Sequence, residues 1–410
     1  MAATDPTIGS SNPAPSAPST ADAGSQPNTG MFDPHAGQNL GHWPDEPPRL
    51  QEQHIDNLLL WCVDQKSSDI SFQSERPVYN DIFGTLRPAT KRPLDGADMA
   101  VILQKIYGAD ALARLASGID LDLSYEIKVN RAKRVRFRVN ITPILSKGRD
   151  GAQITMRSLP DKPPKLSDLN IEQEIIDGWA PRDGLVLITG PTGSGKSTLL
   201  AAGNRMMIER EGGCGKMLTY EAPIEFVYDS IAGENSLIAQ SEIPRHLHSF
   251  DAGVRNALRR KPNIILVGEA RDRETISACI EAGQTGHAVY STVHTIGVAA
   301  TMRRMVATFE SGERLERSYA LMETMRMIVT QVLIPKIGGG RVGLREWLVF
   351  DDDLREKMLD TPPEKWVTEL MQIVPKKGRS MAQSAKMAYD AGLIDMAQYR
   401  LVARKMGVEV

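Results

Sequence analysis

The segment Gly190-Pro-Thr-Gly-Ser-Gly-Lys-Ser-Thr198 holds a Gly-x-x-x-x-Gly-Lys-Ser pattern, the spacing that wraps a backbone around phosphate. Gly190, Gly193 and Gly195 permit tight turns that point several N–H groups at one anion. Lys196 adds a point charge for the β- and γ-phosphates, and Ser197 brings a hydroxyl suited to Mg²⁺. Pro191, Thr192, Ser194 and Thr198 are the remaining positions expected to lie against the phosphates. An apolar run, Leu185–Thr189, precedes the loop, and an apolar helix start, Leu199–Ala202, follows it. The helix puts its positive dipole end under the anion. These residues predict a site for a nucleoside triphosphate with Mg²⁺.

Three further segments carry chemistry. Asn263-Ile-Ile-Leu-Val-Gly-Glu269 is an apolar strand ending in a carboxylate, where a magnesium-holding acid would sit; the same pattern also serves to cap a following helix. Thr219-Tyr-Glu-Ala-Pro-Ile-Glu-Phe226 carries two acids. Glu225 could orient or deprotonate a water, with Glu221 positioning it or supporting it from behind. His287 and His294 bracket a strand, in the role of γ-phosphate sensors or of ordinary structural donors.

The elements that must position these groups follow from hydropathy. The chain has 410 residues, 41% of them hydrophobic, which fits two domains plus a tail. A net charge of −2 gives no broad basic surface, so specific nucleic-acid binding is not expected. Cys62, Cys214 and Cys279 form no CxxC pair, which argues against a zinc module and fits a reducing cytoplasm. No apolar run approaches the ~18–20 residues of a membrane span, and the N-terminus lacks a signal-peptide pattern.

Residues 1–48, rich in Pro, Ala, Ser and Gly, are expected to be disordered. Residues 49–158 read as an α+β domain. It has a helix over His54–Val63, short strands at Asp69–Gln73, Pro77–Tyr79 and Asp81–Leu86, and a helix from Gly96 to Leu115. Strands at Leu121–Val129, Val135–Ile144 and Ala152–Arg157 follow. Residues 159–168 form a proline-rich linker. Residues 169–410 read as a P-loop α/β domain with buried parallel strands at Leu185–Thr189, Met217–Tyr220, Asn263–Val267 and His287–Thr292. From about Glu313 onward the chain reads as mainly helical, interrupted by the Gly338–Gly340 turn and a strand-like Trp347–Phe350.

The order of these boxes (P-loop, Glu-x-Pro-Ile-Glu, Val-Gly-Glu-x-Arg-Asp, Thr-Gly-His with Val-His-Thr) resembles the hexameric secretion ATPases of type II secretion, type IV pilus and type IV secretion systems. Ser68-Asp-Ile-Ser71, Arg136-Phe-Arg-Val-Asn140 and Ile154-Thr-Met-Arg157 are similar to the PAS-like domain that precedes their RecA-like ATPase domain, and Lys336–Arg341 is similar to a turn of the PilT retraction branch. The resemblance implies a catalytic glutamate at Glu225, a Walker B glutamate at Glu269 and His-box histidines at His287 and His294. It also implies arginine fingers at Arg138 and Arg157, with Arg136 as the competitor. Arg271 is left to bridge subunits or to brace the loop after Glu269.

One position departs from the family: Ala222 stands where an aspartate is usual, which puts that acid's contribution to metal or water in doubt. Glu221–Tyr228, Pro44–Arg49 and Ser67–Asp69 resemble the DotB-type ATPases of Dot/Icm (type IVB) secretion and their relatives in IncI-type conjugation. This resemblance implies an ATP- and Mg²⁺-dependent homohexameric motor, cytoplasmic and held at the inner membrane through channel components. A PilT-like retraction motor, a slowly hydrolysing assembly switch and a nucleic-acid translocase are the other readings. The negative net charge argues against the last.

Overall fold

Hydrophobic pattern divides the chain into one stretch that alternates and one that runs continuously apolar, and each makes its own sheet. The computed structural model describes residues 41–405 except 83, 131, 132 and 161, and the side chain of Lys405. The expectation for the tail falls mostly on residues 1–40, outside the described residues.

In the first stretch, helix α1 (Glu52–Asp64) is followed by strands β1 (Asp69–Gln73), β2 (Tyr79–Ile82) and β3 (Thr85–Pro88). Helices α2 (Gly96–Ile106) and α3 (Ala111–Ala116) and strands β4 (Leu121–Lys128), β5 (Arg134–Ser146) and β6 (Arg149–Leu159) complete it. The six strands form one antiparallel sheet in the order β3-β2-β1-β6-β5-β4. Ile70, Phe72, Phe137, Val139, Ile141, Ile154 and Met156 alternate onto the face covered by α1 and α2 and build a single core.

Two expectations are corrected here. The helix over 96–115 is two helices, broken where Gly108 takes a φ of 128°. Residues 41–48 are ordered: Trp43 is buried in this core and its N–H donates to the Ala89 carbonyl at 2.7 Å, while Glu46 accepts from the Lys91 and Arg92 N–H groups. One aromatic side chain with a backbone anchor is enough to order a segment whose composition suggests none.

A 3₁₀ turn over Leu166–Leu169 and helix α4 (Gln173–Asp177) lead into the second stretch. Its elements are β7 (Gly184–Thr189), α5 (Lys196–Glu209), β8 (Gly215–Glu221), β9 (Ser236–Glu242), α6 (Phe250–Leu258), β10 (Ile264–Val267), α7 (Arg273–Gln284) and β11 (Ala288–Val293). They continue with α8 (Val298–Ala307), α9 (Arg314–Thr324), β12 (Met325–Pro335), β13 (Arg341–Val349), α10 (Asp352–Leu359), α11 (Trp366–Lys377), α12 (Met381–Asp390) and α13 (Met396–Lys405). The seven strands run in the order β13-β12-β7-β11-β10-β8-β9, all parallel except β13 against β12. Every residue of β7, β10 and β11 is buried, as strands sandwiched between two helical layers must be.

The region beyond Glu313 is mainly helical, as expected, but it also contributes two strands that the pattern did not show in full: β12 and β13 form a long hairpin that extends the sheet, and Met325-Arg-Met-Ile-Val-Thr-Gln-Val-Leu-Ile334 is its β-branched run. β9 is a further strand that the pattern did not reveal, because only one of its seven residues, Glu242, is fully buried. The fold is thus α/β, a RecA-like P-loop sheet preceded by an α+β, PAS-like domain and followed by helices.

Candidate active site

A parallel sheet delivers every strand's carboxyl end to the same edge, and four neighbouring strands here end in chemistry. β7 runs into the glycine-rich loop, β11 into His294, β10 into Gly268–Glu269, and β8 into Glu221 and the loop bearing Glu225. Gly190 has a φ of 142°, and a Cβ there would stand 2.2 Å from the Gln331 carbonyl of β12, so nothing larger fits. Behind the loop, Gly203 of α5 lies so close to the buried Trp179 ring that a Cβ would overlap it at 1.9 Å. That contact fixes the helix whose N-terminus receives the anion.

Lys196 is buried, and its ammonium donates to the Gly190 carbonyl at 2.9 Å and the Pro191 carbonyl at 3.0 Å. An ammonium has three donors, so one is left for a phosphate oxygen. Burial holds its pKa below the ordinary lysine value, opposed by the charges of Glu269 and Glu225. Ser197 stands beside it in the wall of a cavity of about 330 Å³.

The same cavity is lined by Thr192, Gly193, Glu221, Ala222, Glu225, Glu269, His294 and Arg138. His294 Nε2 lies 3.6 Å from Glu269 Oε1. Glu221 accepts from Thr219 Oγ1 at 2.7 Å and Gln240 Nε2 at 3.1 Å. Burial pushes its pKa up to about 7, an effect that its hydrogen bonds reduce and neighbouring Glu225 reinforces. Ala222 also faces the cavity, so the missing carboxylate is missing from the site itself.

The N-terminal sheet meets this edge through β5. Arg136 is buried, and one guanidinium spans two carbonyls of the Glu225 loop, those of Ile224 at 2.7 Å and Glu225 at 2.9 Å. The Ile224 N–H in turn donates to Glu242, whose carboxylate also accepts the Ser124 N–H and hydroxyl from β4. Two residues along β5, Arg138 projects into the cavity with Nη1 3.6 Å from Glu225 Oε1 and its side chain 45% exposed. Both side chains lie on the face of β5 opposite Phe137 and Val139, and their partners separate the two roles: Arg136 holds the loop backbone while Arg138, one pleat further on, reaches the cavity.

Two expected residues are not brought to the cavity. Arg157, the cross-strand partner of Arg138, turns to Asp69 at 2.8 Å and is 69% exposed. His287 precedes the amino end of β11, with Nδ1 3.1 Å from the Ala282 carbonyl and 3.2 Å from Thr285 Oγ1. A six-residue strand separates it from His294, roughly 20 Å at the usual rise per residue. Arg271 lines a smaller cavity of about 160 Å³ that shares Glu269 and His294 with the first. Arg136, the competitor for the finger role, proves to be a brace for the Glu225 loop, and two residues with no motif signal, Gln240 and Gln331, are part of the site's support.

The donor set suits a hard divalent cation. The Ser197 hydroxyl and the Glu269 carboxylate share the cavity, and among the described residues no cluster of three His, Cys, Asp or Glu could hold a metal alone. Mg²⁺ is commonly held in this way, by one or two protein oxygens plus substrate phosphates.

Comparison with known proteins agrees with this geometry. Residues 49–340 match the family described as "Type II/IV secretion system protein". The chain is 35% identical to the type IV pilus retraction ATPase PilT of Pseudomonas aeruginosa over 306 residues, 73% of this chain and 84% of that protein. It resembles the X-ray structure of the Legionella pneumophila ATPase DotB with a TM-score of 0.85 and 45% identity, covering 90% of this chain and 100% of that one. The crystal structure of the pilus retraction motor PilT with bound ADP aligns with a TM-score of 0.74 and 28% identity, covering 86% and 97%. The chain belongs to the type II/IV secretion ATPase family and is an ATP-hydrolysing P-loop enzyme.

Proposed function

From that membership we propose that the chain is the motor ATPase of a type IVB secretion or conjugation channel, a cytoplasmic homohexamer held at the inner membrane through partner proteins. The likeness to DotB across nearly the whole of both chains is the observation that carries this reading. Among the described residues no helix is long and apolar enough to cross a membrane, and attachment in this reading runs through partners.

In the proposed cycle ATP lies between the carboxyl edge of the parallel sheet and the face of β5. Backbone N–H groups of 192–197 and the Lys196 ammonium hold the β- and γ-phosphates. Glu225 orients a water against the γ-phosphorus and accepts its proton as the new P–O bond forms and the bond to the β-bridging oxygen breaks. Arg138 sets a guanidinium against the charge that builds on the transferring group, and it comes from a different sheet. Ser197 and Glu269 would hold Mg²⁺, which when bound neutralises phosphate charge. His294 faces the same volume and is the histidine in position to register loss of the γ-phosphate. Because Arg136 and the Ser124–Glu242 contact hold the Glu225 loop, movement of the N-terminal sheet moves the water-orienting group with it.

A strain lacking the chain, complemented with wild type or Glu225→Gln, tests this. We expect substrate transfer to return with wild type and not with the variant. Equal rescue by both, with ATP-dependent assembly intact, would make the chain an assembly switch. Similarity to PilT supports a second reading, pilus retraction. It predicts that deletion abolishes retraction while leaving transfer untouched.

A further inference from the structure

Beneath the phosphate loop lies a buried polar chain that the chemistry above does not use. Gln331 sits on β12 one residue beyond Thr330, which pairs with Thr189, the last residue of β7; the two threonine hydroxyls are 2.6 Å apart. This register puts the Gln331 side chain directly under the loop. Its Nε2 donates to the Ser194 carbonyl at 2.7 Å, and a Cβ on Gly195 would meet that Nε2 at 2.9 Å. Gln331 Oε1 accepts from Arg345 Nε at 2.8 Å, across the β12–β13 ladder. The amide cannot be turned over: its oxygen would face a carbonyl and its NH₂ a guanidinium.

Arg345 is itself buried and directs three of its four remaining donors to the segment that enters the ATPase unit. Nη2 donates to the Leu169 carbonyl at 3.1 Å, and Nη1 donates to the Asn170 carbonyl and to Glu172 Oε2, each at 3.1 Å. The other Glu172 oxygen accepts from Arg379 at 2.9 Å. An unbroken series of hydrogen bonds therefore runs from the loop to the stretch joining the two sheets. In a low-dielectric interior each member of such a series depends on its neighbour, since a lost partner leaves a buried polar group unpaired.

We propose that Gln331 and Arg345 are positioning residues for ATP hydrolysis: Gln331 sets the phosphate loop, and through Arg345 it ties the loop's conformation to Leu169–Glu172. Nucleotide binding and the state of the joining segment then affect each other reciprocally. This rests on the ATPase activity alone and not on the type IVB reading.

Full-length chain provides the test, with the slowly hydrolysed analogue adenylyl-imidodiphosphate as probe. Gln331→Met should raise KM for ATP about 10-fold with kcat changed less than about 3-fold, the range expected for one orphaned buried acceptor. Gln331→Glu keeps an acceptor for Arg345 and loses the donor to Ser194, so it should show the same KM defect. A purely structural role predicts near-normal kinetics for Gln331→Glu, because its pairing with Arg345 survives. In wild type, hydrogen exchange at 166–172 should slow when the analogue binds. In Gln331→Met that response should vanish at matched site saturation. Absence of the response in wild type, which needs no variant to fold, overturns the proposal, as does a normal KM for Gln331→Glu or a response that persists in Gln331→Met.

Discussion

The two ends of the parallel sheet are built from the same strands and do different things. At the carboxyl end, β7, β8, β10 and β11 release Lys196, Glu225, Glu269 and His294 into one cavity. At the amino end, the same β11 begins beside His287, whose ring faces the turn after α7. Two histidines seven residues apart, both beside strand termini, therefore differ in role because a parallel sheet has a direction. A strand's amino end is closed off by helix C-termini and turns, while its carboxyl end opens onto helix N-termini and their free N–H groups. The N-terminal antiparallel sheet lacks this asymmetry. It contributes by a face instead, the one opposite its core, from which Arg136 reaches the loop backbone and Arg138 the cavity.

The contrast between the ends can be attacked with paired substitutions. The largest effect belongs to Lys196→Ala, which should lower ATP turnover by at least ~10³-fold, the loss expected when a preorganised positive charge is removed from a phosphoryl-transfer site. Turnover within a factor of ten of wild type would move the site elsewhere. Next, Arg138→Ala should reduce kcat by ~10²-fold while Arg157→Ala changes it less than ~3-fold, both read in steady-state assays. Equal losses would mean that Arg157 reaches the phosphates in the working assembly. Smaller again, His294→Ala should reduce turnover about 10-fold and His287→Ala less than about 2-fold, judging each by what one hydrogen bond near a charged group contributes. A reversal would show that the ends are not as distinct as the cavity lining implies.

The smallest effect concerns stability. Glu221 keeps its proton in the fold up to about pH 7, against an ordinary value of 4.5. Between those values the folded state binds more protons than the unfolded chain, so stability falls as pH rises from 4.5 to 7 and the loss is complete above 7. Glu221→Gln should flatten that part of a melting-temperature profile taken from pH 5 to 8. An unchanged slope would show that Glu221 is not desolvated at this edge.

Much of this was legible in the sequence because the signals are local. A glycine-rich loop needs its own glycines, a doubly buried strand needs an unbroken apolar run, and the boxes at Glu221–Glu225, Val267–Glu269 and His294 follow such strands directly. What escaped depends on partners distant in sequence. Met325–Pro335 is apolar enough for a helix or a strand, and only pairing with β7 decides it. Gln331 has no motif; its importance comes from register with a loop 137 residues away. Arg136 and Arg138 have the same type and lie on the same strand, and what separates their roles is the Ile224–Glu225 backbone 88 and 89 residues on. His287 shows the opposite failure: a box defined by sequence order carries no information about which end of a strand a residue occupies.

Everything above turns on Glu225 acting on water at the carboxyl edge, and Glu225→Gln tests this most directly. The amide keeps the shape and removes the proton acceptor, so single-turnover hydrolysis of ATP, measured beside nucleotide affinity, separates chemistry from binding. Affinity within about 3-fold of wild type with hydrolysis slowed at least ~10²-fold is the predicted result, in line with the usual contribution of a general base. Hydrolysis within about 3-fold of wild type at the same affinity would contradict the account and place the water-activating group on another residue of the cavity.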